Sequence, residues 1–148
     1  GPLDFREAIH ACFQDYFKFS GRARRPEFWW FVLFLMMGSL FLAVIDQILF
    51  GKDRIMGLGG LFSLFTLFPG LAVSWRRLHD VGRPGWMNVA HLPFFLVGVA
   101  IAPVMPLGTV IMFLLSLGII GVVIFWAVSR SDQGPNEYGP EPPVGRPL

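Results

Sequence analysis

Cysteine is nearly absent from this 148-residue chain: Cys12 stands alone, which excludes an internal disulfide and a cysteine-rich metal site. Charge is scarce as well. Asp, Glu, Lys and Arg make up 15% of the residues, against about a quarter in an ordinary soluble domain. Hydrophobic residues make up 54%, among them 16 Phe and 5 Trp. One soluble core of this size cannot cover so much apolar surface, so its solvent is expected to be lipid. The net charge of +2 is too small for the dense basic stripe that nucleic acid requires, and no nucleic-acid partner is expected. No cleavable signal peptide is expected, because no small-residue cleavage site follows the first long apolar run. Gly1-Pro2 reads as a protease scar, and residues 1–3 are set aside.

What is present is a series of long charge-poor runs. A spanning helix needs about 20 apolar residues, and residues 28–50, 55–75 and 86–129 supply them. The last run holds no Asp, Glu, Lys or Arg. It is too long for one helix and suits two with a turn at APVMPLG, residues 102–108. Four spans are predicted, over about residues 27–50, 55–80, 86–104 and 106–129. With four spans, ten Lys and Arg residues fall on one side, and only Lys52 and Arg54 on the other. By the positive-inside rule both termini are then cytoplasmic.

Ahead of the first span, residues 4–18 read as an amphipathic interfacial helix. Asp4 and Glu7 form a capping-box pattern, and Phe5, Ile9, Cys12, Phe13 and Tyr16 share a face. Pro26 suits the first turn of span one, and Pro69-Gly70 predicts a kink in span two. Gly57, Gly59, Gly60, Gly118 and Gly121 are candidate sites of close helix packing. Asp46 is expected to pair with Lys52 or Arg54. Residues 130–148 are too rich in Pro and Gly for helix and predict an extended tail. The fold class is thus an all-α integral membrane protein: a four-helix transmembrane bundle with an interfacial helix and a cytoplasmic tail.

Three segments fall on the cytoplasmic leaflet in this arrangement: FSGRARRPEFWW (19–30), RRLHDVGRPGW (76–86) and GPNEYGP (134–140). In these motifs the chain resembles the small bacterial inner-membrane proteins of the YhaH type, domain of unknown function 805. The resemblance spans nearly the whole chain. It departs at Pro84, where serine is common, and at Met87, where a second tryptophan is common. It implies a multi-pass architecture in the bacterial inner membrane, and no activity.

A topology signal would be met equally well by lysine, yet arginines outnumber lysines ten to two. Arginine's planar fork favours bidentate pairing with carboxylate or phosphate. The candidate cluster comprises Arg22, Arg24, Arg25, Glu27, Arg76, Arg77, His79, Asp80 and Arg83, with Asn136 and Tyr138 of the tail folded against it. On a continuous helix Arg76 and Asp80 lie one turn apart on one face, and Gly82 supplies a left-handed cap. The bland reading has these arginines snorkelling to headgroups and setting topology. A second reading is an ion-pair clasp between spans. A third is a non-enzymatic binding or accessory site for an anionic phospholipid headgroup or a partner protein.

Two further readings belong to other classes. His79 and Asp80 would serve a lipid-modifying enzyme as general base and orienter, although no serine or cysteine nucleophile except Ser20 lies in the motifs. Asn88 and His91, three residues apart in span three, would mark a proton or small-solute path in a homo-oligomer, or a hydrogen-bonded helix contact. No metal or other cofactor is expected, since HD alone is a weak ligand signal.

Overall fold

The computed structural model describes residues 2–52 and 55–144, and within them the regular structure is helical apart from one isolated bridge, Asn136 to Gly139. Helix α1 (Phe5–Gln14) starts where Asp4 accepts a hydrogen bond from the Glu7 N–H at 2.8 Å. One of the orphan donors of the first turn is thereby satisfied. Ala8, Ala11 and Cys12 form its buried face, and Cys12 packs with Ile9 and Phe13 against Phe31, Phe34 and Leu35 of helix α2 (Arg25–Phe50) and Val73 of helix α3 (Gly57–Asp80). The aromatic residues of α1 therefore pack on the other helices: Phe5 meets Trp30 edge-on at 5.8 Å and Phe13 meets Phe31 at 5.7 Å. The helix stops at Gln14, short of the expected residue 18.

Pro26 sits in the first turn of α2, where its missing N–H would have had no helical partner. α2 and α3 form an antiparallel hairpin. Phe62 lies where a side chain on Gly38 would go, 2.5 Å from the added carbon. Met56 precedes α3 and offers no capping oxygen. Asp46 supplies it from across the hairpin, accepting from the backbone N–H groups of Leu58 at 2.7 Å and Gly59 at 2.8 Å. The expected partner Arg54 lies outside the described residues; the unfilled donors of a helix start are the partners seen here.

α3 runs through Pro69 to Asp80 and closes in a Gly82 cap with φ +73°, where Gly82 N–H donates to the His79 carbonyl and Arg83 N–H to that of Leu78. The continuous helix expected over 86–104 is interrupted. A 3-10 helix (Gly85–Val89) leads through a turn into a ten-residue helix α4 (Leu92–Ile101). Pro93 in the first turn of α4 lacks the N–H needed to continue the preceding turn, so the chain restarts there. Helix α5 (Pro106–Val128) packs on α4 through the stacked pair Phe95 and Phe113 at 5.4 Å and a 2.8 Å bond from the Thr109 hydroxyl to the Gly98 carbonyl. Of the glycines expected at helix contacts, Gly118 and Gly121 face open space.

Three helices, α2, α3 and α5, are long and apolar enough to cross a membrane, and the segment Gly85–Ile101 is a shorter apolar one. Their outward faces are large apolar side chains, such as Leu40, Ile48, Leu114 and Phe125. The small buried core, Cys12, Ala23, Phe31 and Val73, lies toward the end of the bundle that carries the arginines.

Candidate functional site

Asp80 is the centre of the charged end. As the last residue of α3 it is fully buried, and its Oδ1 accepts from Arg22 Nε at 2.9 Å. Its Oδ2 accepts from Arg77 Nη1 at 2.5 Å and from the Ser131 hydroxyl. The one-turn pairing of Arg76 with Asp80 is corrected here: Asp80 takes Arg77, at i,i+3, and Arg22 from the loop before α2. Arg76 instead turns to α2, donating to Glu27 Oε1 at 2.6 Å, with Asp15 at 3.8 Å. Three guanidinium charges thus face three carboxylates, and Arg22, Arg76, Arg77, Glu27 and Asp80 are all buried.

Most of the remaining donors of the buried arginines go to backbone carbonyls. Arg77 reaches Ala23 and Ala127, both at 3.0 Å, and Ser129; Arg76 reaches Lys18 at 3.0 Å. Arg22 reaches Asp132 at 2.5 Å and Gly134 at 2.7 Å. Arg76 Nη2 is the single buried side-chain polar atom without a hydrogen-bond partner among the described residues. Beside this layer Cys12 is buried, and burial together with the Glu27 charge pushes its thiol well above the usual range. No group of three or more metal-ligating side chains occurs among the described residues.

The tail closes over this layer. Tyr138 stacks flat on His79, ring centres 4.0 Å apart and planes within 2°, while His79 Nδ1 faces the Gly21 carbonyl at 2.9 Å. Asn136 donates to the His79 carbonyl at 2.9 Å, and the Asp132 N–H donates to that of Asp80 at 2.8 Å. Glu141 accepts from the Gly134 N–H at 2.8 Å and pairs with Arg24 at 3.1 Å. These two contacts, in that order, hold its carboxyl below the ordinary range. Each Asp80 oxygen is taken by an arginine and His79 lies under a tyrosine ring, so the pair does not present a free base with its orienter.

The other expected residues divide. Arg24 and Arg25 lie at the rim, Arg25 donating to the Val128 carbonyl at 3.3 Å. Arg83 stands apart, its guanidinium 4.8 Å from the centre of the Trp126 ring on α5. Asn88 and His91 do not act as a pair. Asn88 donates to the Gly85 carbonyl within the 3-10 helix and lines a cavity with Ser63 and Ser74, whereas His91 lines another with Phe95 and Ser116. The helix they were expected to share is broken between them. Sequence reasoning did not single out Ser131, Asp132 or Glu141. The only sign was polar residues directly after the last apolar run, in a segment read as extended.

With the geometry in hand, comparison with known proteins identifies relatives. Residues 16–140 match the family model described as a protein of unknown function, DUF805. The inner membrane protein YhaH of Escherichia coli K12 is 29% identical over 133 residues, covering 87% of this chain and 90% of that protein. The inner membrane protein YhaI of the same strain is 31% identical over 133 residues, covering 89% and 92%. No solved structure matches. Inner-membrane relatives and long apolar helices together make this a protein of the bacterial inner membrane. The matched motifs run from Tyr16 through the arginine layer to the tail, and the chain belongs to the DUF805 family.

Proposed function

We propose that this protein is a four-span, non-enzymatic accessory module whose arginine-bearing end, with both termini, faces the cytoplasm and recognises anionic lipid headgroups at its rim. The observation that carries this reading is the split within the arginines. The three buried arginines are matched by buried Glu27 and Asp80 and half-buried Asp15, while exposed Arg25 and Arg130 have no carboxylate partner among the described residues. Positive charge available to a ligand therefore lies at the edge of the layer, where anionic headgroups of a cytoplasmic leaflet would meet it.

The four-span count is supported by the direction of α5. Its last carbonyls meet Arg77 at the C-terminal end of α3, so α5 and α3 point the same way. Its 23 residues put Pro106 roughly 34 Å away at helical rise. The segment from Gly85 to Met105 must cover that distance and is the fourth crossing. A reporter inserted in the 102–105 turn is expected to be active only outside the cytoplasm, and one fused after Leu148 only inside. For recognition, thermal unfolding in mild detergent with added phosphatidylglycerol should show a higher Tm than with phosphatidylethanolamine of the same chains. Equal Tm values would contradict headgroup recognition.

A further inference from the structure

Two cavities adjoin at the start of α2, sharing Arg25 and Pro26, with Pro2 at the edge of both. One, of about 340 Å³, carries the charged and polar groups of Arg24, Arg25, Arg130, Gln133 and Glu141, with Pro26 and Val144 completing its wall. The other, of about 530 Å³, is apolar and walled by Leu3, Trp29, Trp30 and Leu33. From the two the structure assigns a binding site for one anionic glycerophospholipid, its phosphate between Arg25 and Arg130 and an acyl chain along Trp30 and Leu33. This assignment rests on the headgroup reading above and gives it a location.

Charge and shape both select this occupant. Arg24 is neutralised within the polar cavity by Glu141, while Arg25 and Arg130 are exposed and pair with no carboxylate among the described residues. Two guanidinium groups beside the Gln133 amide suit a phosphodiester, because arginine's planar fork binds phosphate oxygens bidentately. The apolar wall adds what a free phosphate has no use for. Trp30 is fixed by its Nε1–H bond to the Leu3 carbonyl at 3.1 Å, and Trp29 by a 3.2 Å bond to that of Ala127. Leu33 lies one helical turn further into the apolar run of α2, so the groove leads from the charged end toward hydrocarbon depth. An acidic peptide would match the arginines but not a groove running in that direction.

The test is native mass spectrometry of the full chain in mild detergent, titrated with dioleoyl phosphatidylglycerol, dioleoyl phosphatidylcholine or glycerol 3-phosphate. Wild type should retain phosphatidylglycerol in preference to the other two. Arg25→Gln with Arg130→Gln should weaken that retention by about fivefold per arginine, roughly twenty-five-fold together. Arg6→Gln with Lys18→Gln removes the same charge away from the cavities and should change little. If the Gln pair fails to fold, Arg25→Lys with Arg130→Lys keeps the charge, loses the fork, and should still weaken binding. Equal losses in the cavity and control pairs would overturn the site while leaving headgroup recognition in place. Equal retention of phosphatidylcholine would overturn both. Glycerol 3-phosphate held as firmly as the lipid would reassign the cavity to a soluble anion and overturn the lipid assignment.

Discussion

Replacing Asp80 by alanine should be among the most damaging single changes available to this fold. The carboxylate is fully buried and takes Arg22 Nε at 2.9 Å and Arg77 Nη1 at 2.5 Å, one on each oxygen. Its removal leaves two guanidinium groups buried without a counter-charge, and breaking a buried pair from one side costs about 3–5 kcal/mol. For a chain of this length each kcal/mol is worth about 2–4 °C, so Asp80→Ala should lower Tm by roughly 6–20 °C. The assay is thermal unfolding in mild detergent, with proteolysis of the tail as a second readout. Asp80 also holds the Ser131 hydroxyl and, through its carbonyl, the Asp132 N–H, so the tail should become cleavable early. Asp80→Asn keeps the shape and should lose less. A triple change to apolar residues, Arg22→Met, Arg77→Met and Asp80→Leu, removes the charges together and should recover part of the loss, as replaced buried ion pairs often do. A Tm drop under about 2 °C for Asp80→Ala would refute the claim that the layer is a structural clasp, since so small an effect fits an exposed pair.

Two further outcomes are expected. A methyl group on Gly85 would lie 1.9 Å from Trp75 Cδ1, and that indole is itself held edge-on by Phe19, so Gly85→Ala should cost about 1–3 kcal/mol as an overpacking change. Gly118→Ala, facing open space in the middle of α5, should instead be neutral or slightly stabilising; equal effects at the two positions in chemical unfolding would refute this packing. Glu141 has a folded-state carboxyl lowered from 4.5, so the stability it lends the tail is complete above that pH and lost as pH falls through the lowered value. The Gly134 amide resonance should report a midpoint below 4.5 that disappears in Glu141→Gln; a midpoint at or above 4.5 would contradict the contact.

Local signals were legible where one residue dictates backbone or caps a helix. Asp4 caps α1, Pro26 opens α2, and Gly82 closes α3 with a positive φ. The meeting of Arg22, Glu27, Arg77 and Asp80 was also readable, because charged residues at the same end of several apolar runs have few other places to go. Which arginine takes which carboxylate was not. Residues at i+3 and i+4 are both within reach on a helix, and the choice depended on Glu27 standing across from Arg76. The interruption between Val89 and Leu92 was hidden by uniform apolarity, since a run without polar residues carries no period to show where the helix changes. The capping role of Asp46 was hidden for a related reason: the unfilled N–H groups of α3 that it accepts from belong to the tertiary arrangement.

The abundance of arginine over lysine then has a structural cause that carboxylate counting misses. From sequence, arginines in excess of Glu27 and Asp80 suggested charge held in reserve for a ligand. In the fold, the buried arginines direct their additional donors to carbonyls at chain ends and turns: Ala127 and Ser129 around the end of α5, Ala23 before α2, Lys18 after α1, and Asp132 and Gly134 in the tail. Such carbonyls have no partner within their own helices. One guanidinium offers five donors in a fixed plane, so it can bind a carboxylate and two carbonyls from different segments together; an ammonium has three donors and no such plane. Arg77→Lys should therefore behave as a structural loss although charge is kept, because the contacts to Ala23, Ala127 and Ser129 cannot all be remade from one nitrogen. The layer joins the helix ends to the tail through this geometry, which leaves the proposed headgroup the arginines at its rim.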